Sequence, residues 1–222
     1  MLAEDHASQK ALDEGPEPEL PPESRPPSRY RMLTPTDWFR VPLLSEAKRE
    51  RAVKSLVDMT YPNRDQDAAK RHELGELLTN VVEQAAAREG IELYVSTQGV
   101  GAVPIPATLL VSSEPEDPEH PGVQLPPEML ADGLRDKHGE KAEVSVRQLP
   151  SGPAVRCRRT ELSPDSVELG QPEERPNTLL DYYLPVPNTG AWLLLTFSTP
   201  IPELADALVG MFDAIAGSLR WS

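Results

Sequence analysis

The residues able to do chemistry are few and far apart. Cys157 is the single cysteine of a 222-residue chain. It stands in Val155-Arg156-Cys157-Arg158, where strand alternation sends it to one face and its arginine neighbours to the other. A thiol becomes a nucleophile at neutral pH only beside a positive charge or a base, so Cys157 reads as a small core residue. One cysteine also excludes an internal disulfide framework and a multi-cysteine zinc site. The four histidines, His6, His72, His120 and His138, have no second His or Cys at ligand spacing. His72 and Glu76 share a helix face at i, i+4, the spacing of a solvated ion pair. His138 falls near a helix C-terminus, where the dipole accounts for it. Gly-x-Ser-x-Gly is absent, and Pro150-Ser151-Gly152-Pro153 is the signature of a turn. Gly99-Val100-Gly101 lacks the third glycine and the following helix of a dinucleotide loop, and there is no Walker motif. The acidic stretches 114–119 and 161–174 lack the ligand spacing of a calcium loop. No catalytic residue, metal ligand or cofactor is assigned.

One constellation remains. Arg147, Arg156 and Arg158 share parity on two strands paired across the Ser151-Gly152 turn. Three guanidinium groups on one face would hold a carboxylate or a phosphate, which makes them the candidate partner-binding residues. The competing reading pairs them within the protein, with Glu143, Glu161 or an acidic helix face.

Charge narrows the partners further. The chain carries 36 acidic against 22 basic side chains, net −14, a field that repels a phosphate backbone and disfavours nucleic acid. No apolar run reaches the roughly 18 residues needed to span a bilayer, so integral membrane insertion is not expected. MLAEDHASQKALDEG has no apolar signal core, and a cytoplasmic location is the expectation.

The elements that must position these residues begin after a tail. Residues 1–35 hold seven of the 25 prolines, with few large apolar side chains, and read as a disordered proline-rich segment. Arg25, Arg29 and Arg31 form a short basic stretch at its end. Taking its seven acids and four bases from the totals leaves 29 and 18, so residues 36–222 keep a net charge of −11. That remainder reads as a single domain.

Trp38–Leu43 reads as an edge strand, because Pro42 cannot donate to a ladder. Ser45 is placed to cap a helix running to about Thr60, stopped by Tyr61-Pro62. A longer helix follows from about Asp65 to Glu89, with Leu74, Leu77, Leu78, Val81 and Ala85 as its apolar stripe. Ile91–Thr97 and Ile105–Ser112 pair as a hairpin. A short helix runs from Glu128 to His138 and is closed by Gly139. Ala142–Leu149 with Pro153–Glu161, and Thr178–Val186 with Ala191–Ser198, form two more hairpins. Trp192-Leu193-Leu194-Leu195 is apolar on both faces, which predicts a central strand with cover above and below. A final helix buries Leu204, Leu208, Met211, Phe212, Ile215 and Leu219. The order implies an α+β fold: an antiparallel sheet of six to seven strands with helices on both faces.

A long helix, an antiparallel meander and a last strand Thr196-Phe197-Ser198-Thr199-Pro200, running into the helix 212–219, resemble the PsbP-like α/β/α sandwich. Trp38-Phe39, Pro104-Ile105-Pro106-Ala107-Thr108-Leu109 and the terminal Leu219-Arg220-Trp221 resemble a group of uncharacterised actinobacterial proteins. The resemblance spans about residues 37–222. It implies a non-enzymatic protein-binding, adaptor or assembly accessory protein, and it brings no catalytic set with it. The alternative is a small-ligand-binding protein or a hydrolase whose site is built from residues distant in sequence. A deep pocket with converging titratable groups would favour that alternative.

Overall fold

Seven strands form one antiparallel sheet in the order β2-β3-β6-β10-β9-β8-β7, in a computed structural model that describes residues 25–62, 65–97, 99–100, 103–162 and 176–222. The strands are β2 (Trp38–Pro42), β3 (Gly90–Ser96), β6 (Thr108–Glu114), β7 (Ala142–Leu149), β8 (Gly152–Leu162), β9 (Pro176–Pro185) and β10 (Trp192–Thr199). Two short ribbons stand outside the sheet. One joins β4 (Gly99–Val100) to β5 (Val103–Pro104), and the other joins β1 (Tyr30–Arg31) to β11 (Arg220–Trp221). Among the described residues there are four α-helices: α1 (Glu46–Thr60), α2 (Ala68–Ala87), α3 (Pro127–His138) and α4 (Ala205–Gly217). This is the α+β antiparallel sandwich that hairpin signals and segregated helices predict.

The register divides the layers. Trp38, Tyr94, Leu109, Val111, Leu195, Phe197, Leu180, Tyr182 and Ala154 lie on one face. There they meet Leu208, Val209, Phe212, Ile215 and Ala216 of α4 in the main core. Phe212 stacks on Phe197 with centroids 4.8 Å apart and meets Trp38 edge-on at 6.2 Å. Each such fully buried side chain contributes about 1.5–3 kcal/mol, so this face anchors the fold. On the other face, α1 and α2 cover Val41 and Leu93 at the β2–β3 end, while α3 covers Val155 and Cys157 at the β8–β7 end.

Several expectations are modified. Strand β10 is central, but α4 covers it on one face only. On the other, Leu194, Thr196 and Ser198 stay half-buried, because the α1/α2 pair and α3 sit at opposite ends of the sheet. A 420 Å³ cleft lined by Thr196, Ser198, Leu110, Leu179 and Val81 lies there. The buried residues of α2 are Val82 and Ala85, with Leu74 and Leu78 partly covered, while Leu77 is 59% and Val81 42% exposed. The apolar stripe is therefore rotated from the one the leucines suggest. Leu204 is also exposed, ahead of α4 in a short 3₁₀ turn.

Residues 25–35, which composition assigns to the tail, are bound to the body. Tyr30 pairs with Trp221 and Arg31 with Arg220, flanked by reciprocal Arg29–Ser222 backbone hydrogen bonds of 2.9 Å. Residues 1–24 and the acidic segment 163–175 lie outside the described residues, and His6 with them.

Candidate functional site

The hairpin register places Arg147, Arg156 and Arg158 on one face, as their parity implies, opposite Ala154, Ser145 and Glu143 respectively. It is the face that α4 covers. Arg156 is buried and donates to both carboxylate oxygens of Asp213, at 2.8 and 3.3 Å, and the Tyr182 hydroxyl donates to the same carboxylate at 2.7 Å. Arg158 reaches Asp206 at 2.6 Å. Two of the three guanidinium groups thus serve to fasten the last helix, while Arg147 stands exposed near the sheet edge.

Cys157 is fully buried against Ala131 and Leu134 of α3, and burial pushes its thiol up from the usual range. The protonated, inaccessible thiol is a core group. His72 and Glu76 approach to 3.4 Å with both side chains largely exposed, and His120 meets Asp117 at 3.0 Å in an exposed loop. Burial, followed by the charge of Arg159, holds His138 below the ordinary imidazole range. Ser151 lies in the β7–β8 turn, where its carbonyl accepts from the Trp221 indole at 3.0 Å. Among the described residues, no group of three or more His, Cys, Asp or Glu is arranged to hold a metal ion, and no helix is long and apolar enough to cross a membrane.

The structure assembles a site that the sequence only hints at. The β1–β11 ribbon lies over the edge of the α4-covered face, and between it and β2 and β3 runs a solvent-open groove of about 950 Å³. Its position follows from the two chain segments that meet there. Tyr30, Met32 and Trp221 pack on the main core, the Leu33 amide donates to Ser218 Oγ at 2.8 Å, and Asn188 holds the Arg25 carbonyl at 3.3 Å. The wall toward β3 is a closed polar network. Glu92, only 8% exposed, accepts from the Tyr94 hydroxyl at 2.7 Å, from the Tyr30 hydroxyl at 3.0 Å and from the Arg40 guanidinium. Burial, and after it the adjoining carboxylate, pushes both tyrosines well above the ordinary phenol range.

Chemically, the groove combines cationic, aromatic and exposed apolar side chains. Arg29, Arg31 and Arg40 line it against one acid, Glu92, so it is locally cationic on a strongly acidic protein. Trp221, Tyr30 and Tyr94 add aromatic surface, while Leu33 and Leu44 on its rim are 76% and 79% exposed. Arginine, tyrosine and tryptophan around exposed apolar side chains form the composition of protein interface centres. The sequence signal was the Arg25, Arg29, Arg31 stretch together with Trp221. It is hidden because the two segments meet through a ribbon between residues far apart in sequence, which no local pattern announces. Searches of the sequence against protein-family models and curated proteins, and of the fold against solved structures, found no match.

Proposed function

We propose that the protein is a non-enzymatic protein-binding module, an adaptor or assembly accessory, whose groove takes an acidic partner segment carrying apolar side chains. The observation that carries this reading is the clustering of Arg29, Arg31 and Arg40 with Trp221 and the exposed Leu33 and Leu44 around one groove. Carboxylates on the partner answer the guanidinium groups through charge-assisted bonds, and its apolar side chains cover the leucines. The PsbP-like architecture, itself proposed from the order of elements, fits the same role, since that group consists mostly of binding and accessory proteins.

The small-ligand alternative would draw on the convergence of Glu92, Tyr30, Tyr94 and Arg40. Those groups are engaged with one another, and a carboxylate with three donors is a wall rather than a reactive centre. Selection from a displayed library of random 12-residue peptides tests the proposal. Enriched sequences combine Asp or Glu with Leu or aromatic residues, and the double variant Arg29→Glu/Arg31→Glu binds them at least about tenfold more weakly. Enrichment that is charge-neutral, or untouched by the double variant, would remove it.

A further inference from the structure

The sheet has two edges of different character. At one, β2 is five residues long and ends in Pro42. At the other, β7 is eight residues long, Ala142–Leu149, and among the described residues it is paired through its inner side alone, with β8. A long strand with an unpaired side is a template for another strand, unless charge, proline or a covering element blocks it. The outer side of β7 is identified by the Val144 carbonyl, which accepts from the Arg135 side chain at 3.3 Å. By alternation, the outward amides belong to Ala142, Val144, Val146 and Gln148.

The sequence of this edge is self-complementary. Around Ser145 it reads Glu143-Val144-Ser145-Val146-Arg147, a palindrome in which the two ends carry opposite charge. We propose that β7 is a homodimer edge, pairing antiparallel with β7 of a second copy about a two-fold axis through Ser145, so that two seven-stranded sheets join as one. In that register Val144 and Val146 exchange backbone hydrogen bonds with Val146 and Val144 of the other copy. The two serines face each other, and Glu143 of each copy meets Arg147 of the other at non-hydrogen-bonded positions, where side chains approach closest. Both charged residues are exposed. The Val144 carbonyl keeps a second lone pair for Arg135. Val144 and Val146 lie on the α3 side, already packed against Ala131 and Leu134, so a continuous sheet extends an existing apolar layer. A two-fold operator needs such a self-complementary patch, and it closes at two copies. One eight-residue edge buries less than the roughly 1,200 Å² of a standard stable interface, so the dimer is concentration-dependent.

The pairing is independent of the groove and is tested separately, by sedimentation velocity of the full chain from about 1 µM to 1 mM. Arg147→Glu puts two acids on each edge and Glu143→Arg puts two bases there. Each variant alone dimerises at least about tenfold more weakly than the natural chain, and an equimolar mixture recovers dimer through four complementary charges. Far-UV circular dichroism and thermal melts confirm that both variants are folded. Should Glu143→Arg fail to fold, because it faces Arg158 across β8, Val146→Pro replaces it. That substitution removes an outward amide while leaving the β7–β8 ladder bonds in place, and it abolishes the dimer. A natural chain that stays monomeric to 1 mM, variants that dimerise as it does, or a mixture that recovers nothing would each overturn the proposal.

Discussion

Arg156 and Asp213 join the sheet to its covering helix through two hydrogen bonds of 2.8 and 3.3 Å, from the α4-covered face of β8 to the C-terminal half of α4. The Arg156 side chain is 9% exposed and Asp213 38%, so the pair is half-sheltered, and Tyr182 supplies a third bond to the same carboxylate. It adds a directional polar tie to a helix that the apolar core already seats through Phe212.

Removing one partner strands the other. Asp213→Ala leaves the Arg156 guanidinium and the Tyr182 hydroxyl without an acceptor and costs about 2 kcal/mol, below the roughly 3–5 kcal/mol of a fully buried pair because Asp213 is part-exposed. Arg156→Met with Asp213→Leu costs less than either single change, since no charge is left behind. Urea unfolding midpoints measure both, and a double variant worse than the singles contradicts this account.

Gly90 sits where α2 gives way to β3 with no room for a side chain. A Cβ there would stand 2.4 Å from the Ala85 carbonyl oxygen and 2.6 Å from Leu43 Cδ1. The chain turns from α2 into β3 at this point, with Glu89 in the left-handed region at φ 56°. Backbone cannot yield as a side-chain tip can, so Gly90→Ala destabilises by about 3 kcal/mol, read as a drop in thermal midpoint. An unchanged midpoint would show that the turn relaxes.

Alkaline pH probes the polar networks. Tyr30, Tyr94 and Tyr182 each donate to a carboxylate, and burial first, then that carboxylate, raises their hydroxyls above the ordinary phenol value of 10.0. Burial raises Tyr183 as well. The unfolded chain therefore loses these protons before the folded one does. The tyrosine contribution to stability is constant below about pH 10 and falls as pH rises beyond it. Tyrosinate absorbance at 295 nm is expected to appear late and together with unfolding. Ionisation of four or more of the five tyrosines near pH 10, with the fold intact, would contradict the networks.

Cys157 provides a probe of the α3 layer. Its thiol is fully buried and raised by burial, so a thiol reagent labels one cysteine in urea and almost none in buffer. Rapid labelling of native protein would mean that α3 opens from the sheet.

Most of the framework was legible because it is local. Ser45 before α1, Gly139 after α3, and the Pro150–Gly152 and Pro187–Gly190 turns lie at element boundaries, since turns and helix ends are set by a few adjacent residues, although the Ser45 side chain makes no capping hydrogen bond. The rotation of α2 was not legible. Its outward Leu77 and Val81 are as apolar as its inward Val82, so periodicity fits more than one face. Nor could parity alone say that Arg156 and Arg158 would meet Asp213 and Asp206, residues 57 and 48 positions away. The groove was least legible of all, because Tyr30 and Trp221 become neighbours only through pairing of distant segments. The basic stretch was visible, but its partner strand was not.

The central claim is that this groove binds protein. A photocrosslinking side chain placed at Leu44, on the rim, and another at Met59, exposed on α1 and absent from the groove lining, test it in the cells that make the protein. The account predicts one predominant protein adduct from position 44, none of it from position 59, and its loss in the Arg29→Glu/Arg31→Glu variant. No adduct from position 44, or the same adducts from both positions, would contradict it.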